Sequence, residues 1–237
     1  MGAEGGAPGG PTPNGDRLQK GPSNAETRYY QVVFLWTKDP AKFGRYLELA
    51  TPVVDRYGGA LERMLMPDVI YAEGVQKPDI VNIVYYDSRE AFHALHQDPD
   101  FKKIVHLRSE SVDLFAIDGA PLTGAVSSEA LNKRLYLLEV AKLRAGLAGY
   151  RRYEEQADPV MSRYGYHVER VMSAEDASGF SFRPDIVKVA YFDEQDGMER
   201  MHKDPEHGRI ENDLYPSAVE KSVWVIGRVH PLSMGPH

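Results

Sequence analysis

Two of the eight histidines in this cysteine-free chain of 237 residues occur in one repeated setting, His96 in HQDPDF and His202 in HKDPEH. Imidazole takes and gives protons near neutrality, so the pair could do general acid–base work. A ring two residues before Asp-Pro also sits where a helix ends and can bond a free carbonyl there. For either histidine alone that structural reading carries more weight. A second set comprises polar residues inside apolar, strand-like runs, where each needs a partner or a purpose. Glu62-Arg63 recurs as Glu169-Arg170, and Asn82 in PDIVNIVYYD is answered by Lys188 in PDIVKVAYFD. Glu139 and His167 have no polar equivalent in the first half, where Leu35 or Trp36 and Ala60 stand. Neighbours on a strand point to opposite faces, so Glu62 and Arg63 are expected apart, and a salt-bridge ladder explains these residues as well as a pocket does.

The asymmetry points to a second-half pocket holding Glu139, His167, Lys188 and His202, with His96 as the first-half counterpart. A carboxylate and an imidazole within reach would form an acid–base pair. Asn82, Arg63, Glu169, Tyr86 and Tyr191 are the substrate-binding candidates. The chain has 14 tyrosines, and aromatic walls with a polar rim suit a flat apolar ligand. The same tyrosines are ordinary strand residues. No metal is expected, because His93 and His96 lack a third ligand placed by sequence. No cofactor is expected either: there is no Gly-rich phosphate loop, no G-x-S-x-G elbow and no dinucleotide fingerprint.

The elements that must position these groups come twice. RYGGALERMLM, PDIVNIVYYD and HQDPDF return as RYGYHVERVMS, PDIVKVAYFD and HKDPEH, with one residue of slippage between the Tyr57–Tyr164 and Asp79–Asp185 registers. A repeat this long is a duplicated domain rather than a solenoid unit. The first copy reads as strand 30–36, a helix over 41–57 with Asp39 as N-cap, strands 60–66 and 80–86, one helix from Ser88 interrupted at Asp98-Pro99, and strand 112–117. The second reads as strand 135–140, helix 149–163, strands 167–172 and 186–192, helix 195–203 and strand 223–229. This β-α-β-β-α-β order is ferredoxin-like, with helices on one sheet face only. Both strand faces read apolar, so the bare faces are expected to cover each other as an α+β, sheet-to-sheet intrachain pseudo-dimer. The expected division is a disordered Gly/Pro-rich tail over 1–27, domains over 28–120 and 133–237, and a linker over 121–132.

An apolar share of 42% with 27% charged residues supports a real core. A net charge of −7 with dispersed Lys and Arg argues against nucleic acid or an anionic membrane as partner. The absence of cysteine and of a signal-like or spanning segment makes the cytoplasm the default.

Tyr57-Gly58-Gly59, Pro78-Asp79 and Asp98-Pro99-Asp100-Phe101 in one half, and Tyr164-Gly165, Arg183-Pro184-Asp185 and Asp204-Pro205-Glu206 in the other, carry a resemblance. Each half resembles the dimeric α/β-barrel superfamily, and within it a ferredoxin-like family of unknown function related to antibiotic-biosynthesis monooxygenase and EthD-like domains. The resemblance implies the barrel but no single chemistry, since the superfamily includes cofactor-free monooxygenases, cyclases, isomerases and heme enzymes. His96 and His202 stand where that family tends to place an aromatic.

The leading expectation is a cofactor-independent enzyme of small-molecule, polyketide-type biosynthesis, doing cyclisation, isomerisation or elimination on an apolar carbonyl-bearing substrate. His202 or His96 would be the base, and Lys188, Asn82 or an Arg would meet oxyanion charge. A cofactor-free monooxygenase is the nearest rival, and a non-catalytic metabolite-binding or protein-interaction barrel is the rival from another class. The expected partner is a small apolar or aromatic metabolite, with room for a homodimer of such pseudo-dimers.

Overall fold

The computed structural model describes residues 28–72, 74–123 and 135–230. The tail expected over 1–27, and the linker beyond its first three residues, lie outside the described residues. The first half runs β1 (Tyr29–Thr37), α1 (Pro40–Arg56), β2 (Ala60–Tyr71), β3 (Ile80–Tyr86), α2 (Arg89–Gln97), α3 (Pro99–Ser111), β4 (Val112–Gly119) and β5 (Pro121–Thr123). The second runs β6 (Leu135–Leu143), α4 (Gly146–Met161), β7 (Tyr166–Ser173), β8 (Asp176–Ser178), β9 (Ile186–Phe192), α5 (Gly197–His202) and α6 (Pro205–Arg209). A π-helical turn (Ile210–Leu214), α7 (Tyr215–Ala218) and β10 (Val219–Val229) complete it. Among the described residues no helix is long and apolar enough to cross a membrane.

Local chemistry sets the boundaries. The Asp39 side chain accepts from Lys42 N with Pro40 at the first helical position, and Ser88 caps α2 in the same way. Asp98 accepts from the amides of Asp100 and Phe101 and so starts a new helix. The single helix expected there is therefore two, because a capping carboxylate followed by proline starts a helix better than it continues one. The repeated motifs turn out to be framework. Tyr57 OH donates to Asp98 Oδ2 (2.8 Å) and Tyr164 OH to Asp204 Oδ2 (2.7 Å), tying the end of each long helix to the cap of a later one. Gly58 and Gly165 follow with φ of 65° and 74°, the left-handed region that glycine enters without steric cost.

Among the described residues ten strands join in one antiparallel sheet, in the order β5-β7-β9-β6-β10-β2-β3-β1-β4-β8. The halves, expected to meet sheet to sheet, are also hydrogen-bonded edge to edge. β2 pairs with β10 at one junction, and β4 with β8 and β5 with β7 at the other. Residues 121–123, expected in the linker, belong to that second junction. Strand alternation then divides the side chains. Tyr30, Val32 and Phe34 of β1 share one cluster with Tyr136, Leu138 and Val140 of β6, so both halves fill a common interior. The residues between them face helices: Leu135, Leu137 and Ala141 pack on Tyr150, Ala157 and Val160 of α4, and Tyr29 packs on Phe92 and Leu95 of α2.

Candidate active site

Odd-numbered residues of β6 and even-numbered residues of β9 face α4, which brings Glu139 and Lys188 together as a cross-strand pair. Both are fully buried, and Lys188 Nζ lies 3.0 Å from Glu139 Oε2 and 3.7 Å from Glu154 Oε1 of α4. Tyr150 OH donates to Glu139 Oε2 (2.7 Å) and Tyr215 OH to Glu139 Oε1 (2.7 Å), while Trp224 Nε1 donates to the Tyr215 oxygen (3.1 Å). Burial works against the Lys188 charge, but Glu139 and the surrounding tyrosines raise its pKa well above the ordinary lysine value. Lys188 thus stands among one fully buried acid, Glu139, and two half-buried ones, Glu154 and Asp158. Burial consequently pushes Glu154 up to about 7 and Asp158 upward too, despite the opposing pull of Lys188.

Above this cluster, between the sheet and the helices of the second half, lies a cavity of about 530 Å³. Leu137, Ile226, Met161, Met198 and Met201 give it apolar walls; Tyr153, Tyr166, Tyr215 and Trp224 give it aromatic ones. Its polar groups are few. His202 and His207 stand with ring centroids 5.5 Å apart, and Glu211 of the π-helical turn places Oε2 3.8 Å from His207 Nδ1. His207 is buried, and burial lowers its pKa while Glu211 draws it back up. The ring is therefore neutral near pH 7 and able to accept a proton. The Tyr166 hydroxyl is buried beside Lys188, whose charge and hydrogen bond oppose the burial that pushes its pKa up to about 12. Tyr71 reaches the cavity from the far end of β2, so the first half contributes to the wall.

Of the residues expected in this pocket, Glu139 and Lys188 meet beneath it and His202 lines it. His167 does not join them. Tyr166 and Val168 face the helices, so His167 between them points the other way; it is exposed, bonded to Asp193 Oδ2 (2.7 Å) and stacked on Tyr191. His96 follows the plainer reading: its Nδ1 lies 2.9 Å from the Phe92 carbonyl oxygen, and its ring packs between Phe92 and Phe101. It fills an aromatic's place. Tyr86 is first-half core on Phe92, and Tyr191 lies beside His167, so neither lines the cavity. Asn82 faces the first-half helices with a buried, unpartnered Oδ1. Its cross-strand neighbour Val33, rather than Leu35 or Trp36, is the counterpart of Glu139.

Arg63 and Glu169 lie in the common interior. The expectation that Glu62 and Arg63 point apart fails because register shifts at Leu61/Arg63 and Val168/Arg170 insert one residue in each strand and turn both side chains inward. Arg63 Nη1 donates to Glu169 Oε2 (2.8 Å), Arg170 Nη1 to Glu62 Oε2 (2.9 Å), and Arg170 Nη2 to Glu169 Oε1 (2.5 Å). Each guanidinium also lies over a tyrosine ring, Arg63 over Tyr136 at 4.4 Å and Arg170 over Tyr30 at 4.6 Å. Every charge here has a partner within the cluster, which makes it a support. The residues that sequence reasoning missed are His207, Tyr215, Trp224 and Glu154. A signal for the first existed: His207 ends the quoted HKDPEH motif, one helix beyond the expected boundary.

Residues 28–120 match the model of a family described as "Domain of unknown function (DUF1330)". No curated protein matches the chain. Among solved structures, an anthrone oxidase-like protein is 14% identical, with a TM-score of 0.53 over 87% of this chain and 93% of that one. A mutant chlorite dismutase from Candidatus Nitrospira defluvii is 7% identical, with a TM-score of 0.55 over 87% and 92%. A heme-binding protein from Thermus thermophilus is 6% identical, with a TM-score of 0.51 over 86% and 91%. The chain shares their ferredoxin-type fold; at such identities the likeness extends no further.

Heme itself fits this cavity poorly. Among the described residues none of those lining it is Lys or Arg, so nothing neutralises two propionates, and Glu211 stands at the opening. Nor do the described residues hold a group of three or more His, Asp or Glu able to bind a metal ion.

Proposed function

We propose that this chain is a cofactor-independent enzyme of the monooxygenase type, acting on a flat, apolar, carbonyl-bearing substrate in the second-half cavity. The observation that carries the reading is a buried imidazole and a buried phenol lining one apolar cavity, the phenol beside the Lys188 ammonium. His207 takes a proton from the carbon activated by the substrate carbonyl, and Glu211 steadies the imidazolium. Tyr166 donates a hydrogen bond to the enolate oxygen. The electron-rich enolate reduces dioxygen by one electron, the two radicals combine to a hydroperoxide, and loss of water leaves a ketone. A CH₂ thus becomes C=O, one oxygen atom is retained and the other leaves as water. The anthrone oxidase-like neighbour supports this choice of chemistry, and His202, more exposed, suits proton exchange with solvent. Cyclisation or isomerisation would use the same acid and base without dioxygen.

Anthrone is the direct test, as a neutral ketone with an acidic CH₂. In air-saturated buffer the protein is expected to consume one dioxygen per anthraquinone formed, and His207→Gln to abolish the catalysed part. Turnover that persists under argon would replace the oxygenase by an isomerase or cyclase. The absence of any rate above the blank for anthrone and its hydroxylated derivatives would sink the reading.

We also infer that the two halves descend from one duplicated ferredoxin-like unit, spanning 28–120 and 133–237, and close as a pseudo-dimeric barrel. The exchanged pairs Arg63–Glu169 and Arg170–Glu62, and strand pairing at both junctions, support this.

A further inference from the structure

The charges around the second-half cavity are one-sided. Its opening carries Glu211, whose side chain is 57% exposed. Its floor rests on Glu139, Glu154 and Asp158 with Lys188 among them and exposed Arg151 of α4 also acting on Glu154; Lys188 is already held by two of those acids. No Lys or Arg lines the cavity among the described residues. Arg200 of adjacent α5 and Lys203 just after it are committed elsewhere, Arg200 to Glu194 and Asp196, and Lys203 to Glu199. In a cleft with low-dielectric walls such an imbalance is focused rather than averaged away. The aromatic faces of Tyr71, Tyr153, Tyr215 and Trp224 add to it, because ring quadrupoles attract cations and do nothing for anions.

We infer that this cavity selects ligands by charge, admitting neutral and cationic aromatic molecules and rejecting anionic ones, with Glu211 as a specificity-determining residue. The inference rests on the proposed location of the active site and adds the substrate's charge class to it. A phosphate-bearing carrier, such as a coenzyme A thioester or a nucleotide conjugate, is excluded. The substrate reaches the cavity as a free, uncharged or amine-bearing aromatic, so the reaction that supplies it must already have released it from any such carrier. The π-helical turn has a part in this. Its wider winding buries Ile210 in the core while Glu211 lines the cavity beside His207.

Three matched probes test it by calorimetry on the full chain at pH 8 and low salt: 2-naphthylmethanol, 2-naphthylmethylamine and 2-naphthoate. The carboxylate is expected to bind at least about tenfold more weakly than the alcohol, and the amine at least as tightly as the alcohol. Glu211→Gln, a change at an exposed side chain, is expected to narrow the amine-to-carboxylate gap by about threefold, and 0.5 M salt to narrow it further. Met198→Trp, which fills the cavity, is expected to abolish binding of all three. A carboxylate that binds as tightly as the alcohol, a gap untouched by Glu211→Gln, binding that survives Met198→Trp, or no binding by any probe would each overturn the inference. Because the readout is binding, it stands or falls separately from turnover: a correct charge order without anthrone oxidation leaves the site and removes only the oxygenase.

Discussion

On the helix-covered face of the sheet, the first half pairs Val33 with Asn82 across β1 and β3, while the second pairs Glu139 with Lys188 across β6 and β9. In the common interior the halves instead exchange matching ion pairs. Arg63 bonds Glu169 and lies over Tyr136, and Arg170 bonds Glu62 and lies over Tyr30. One face has kept its symmetry because each half completes the other there, so a change on one side would strand a charge on the other. The helix-covered faces have no such mutual constraint. Each packs mainly against its own helices, and there the halves have diverged, the first toward a packed core around Phe92 and the second toward a cavity over buried charge.

The contrast can be broken by substitution, beginning where the effect is largest. His207→Gln is expected to reduce turnover by about 10²–10⁴-fold with little change in thermal stability, whereas His96→Gln leaves the rate intact and costs about 1 kcal/mol through its bond to the Phe92 carbonyl. Steady-state kinetics beside thermal melts decide this, and equal rate losses would make the two faces functionally alike. Next, Lys188→Met strands Glu139 in the core and should cost about 3–5 kcal/mol in denaturant unfolding. Asn82→Leu, at the equivalent place, should change stability by less than about 1 kcal/mol, because its buried Oδ1 has no partner to lose. The double change Glu139→Val with Lys188→Asn, which installs the first-half pair, should recover most of that loss.

A finer measurement concerns the interior. Arg63→Met should destabilise by about 3 kcal/mol, and Arg170→Met by more, because Arg170 bonds Glu169 as well as Glu62. Equal unfolding midpoints would show that the additional Arg170–Glu169 bond contributes nothing. The smallest effect is a pH slope. Glu154 has a folded-state pKa raised from 4.5 to about 7 by burial. Between those values the native state binds more protons than the unfolded chain, so its contribution is greatest below pH 4.5 and is lost as pH rises to about 7. Glu154→Gln should flatten the stability curve over that window by on the order of 1–2 kcal/mol, a figure reduced for the solvent that reaches the carboxylate. Asp118 in the first half, raised by burial from 3.8 to about 6, should give the same sign over its own lower window on Asp118→Asn.

Much of this was legible in the chain. Strands 80–86 and 186–192 fall where their apolar runs place them, and the caps at Asp39 and Ser88 act as their positions suggest. Glu139 and Lys188 stood out as charges within apolar strands, and burial requires such charges to find each other. His167 misled because pleat phase, rather than nearness in sequence, decides which face a residue shares. β8 (Asp176–Ser178) carries no apolar pattern and is a strand only because β4 pairs with it. The helical segments after His202 were missed because Asp204-Pro205 reads as a stop, when it is a cap followed by a restart.

The sequence by itself determined the internal repeat, the alternating apolar faces and the buried charges, since these follow from residue types and local spacing. Tertiary structure alone decided the rest. The bulges that turn Glu62 and Arg63 inward together are defined only against a partner strand's register, and edge pairing of β2 with β10 is what carries Tyr71 to a cavity in the other half. Whether a polar residue supports or reacts depends on whether its hydrogen-bonding capacity is used up by neighbours, and those neighbours come from far along the chain.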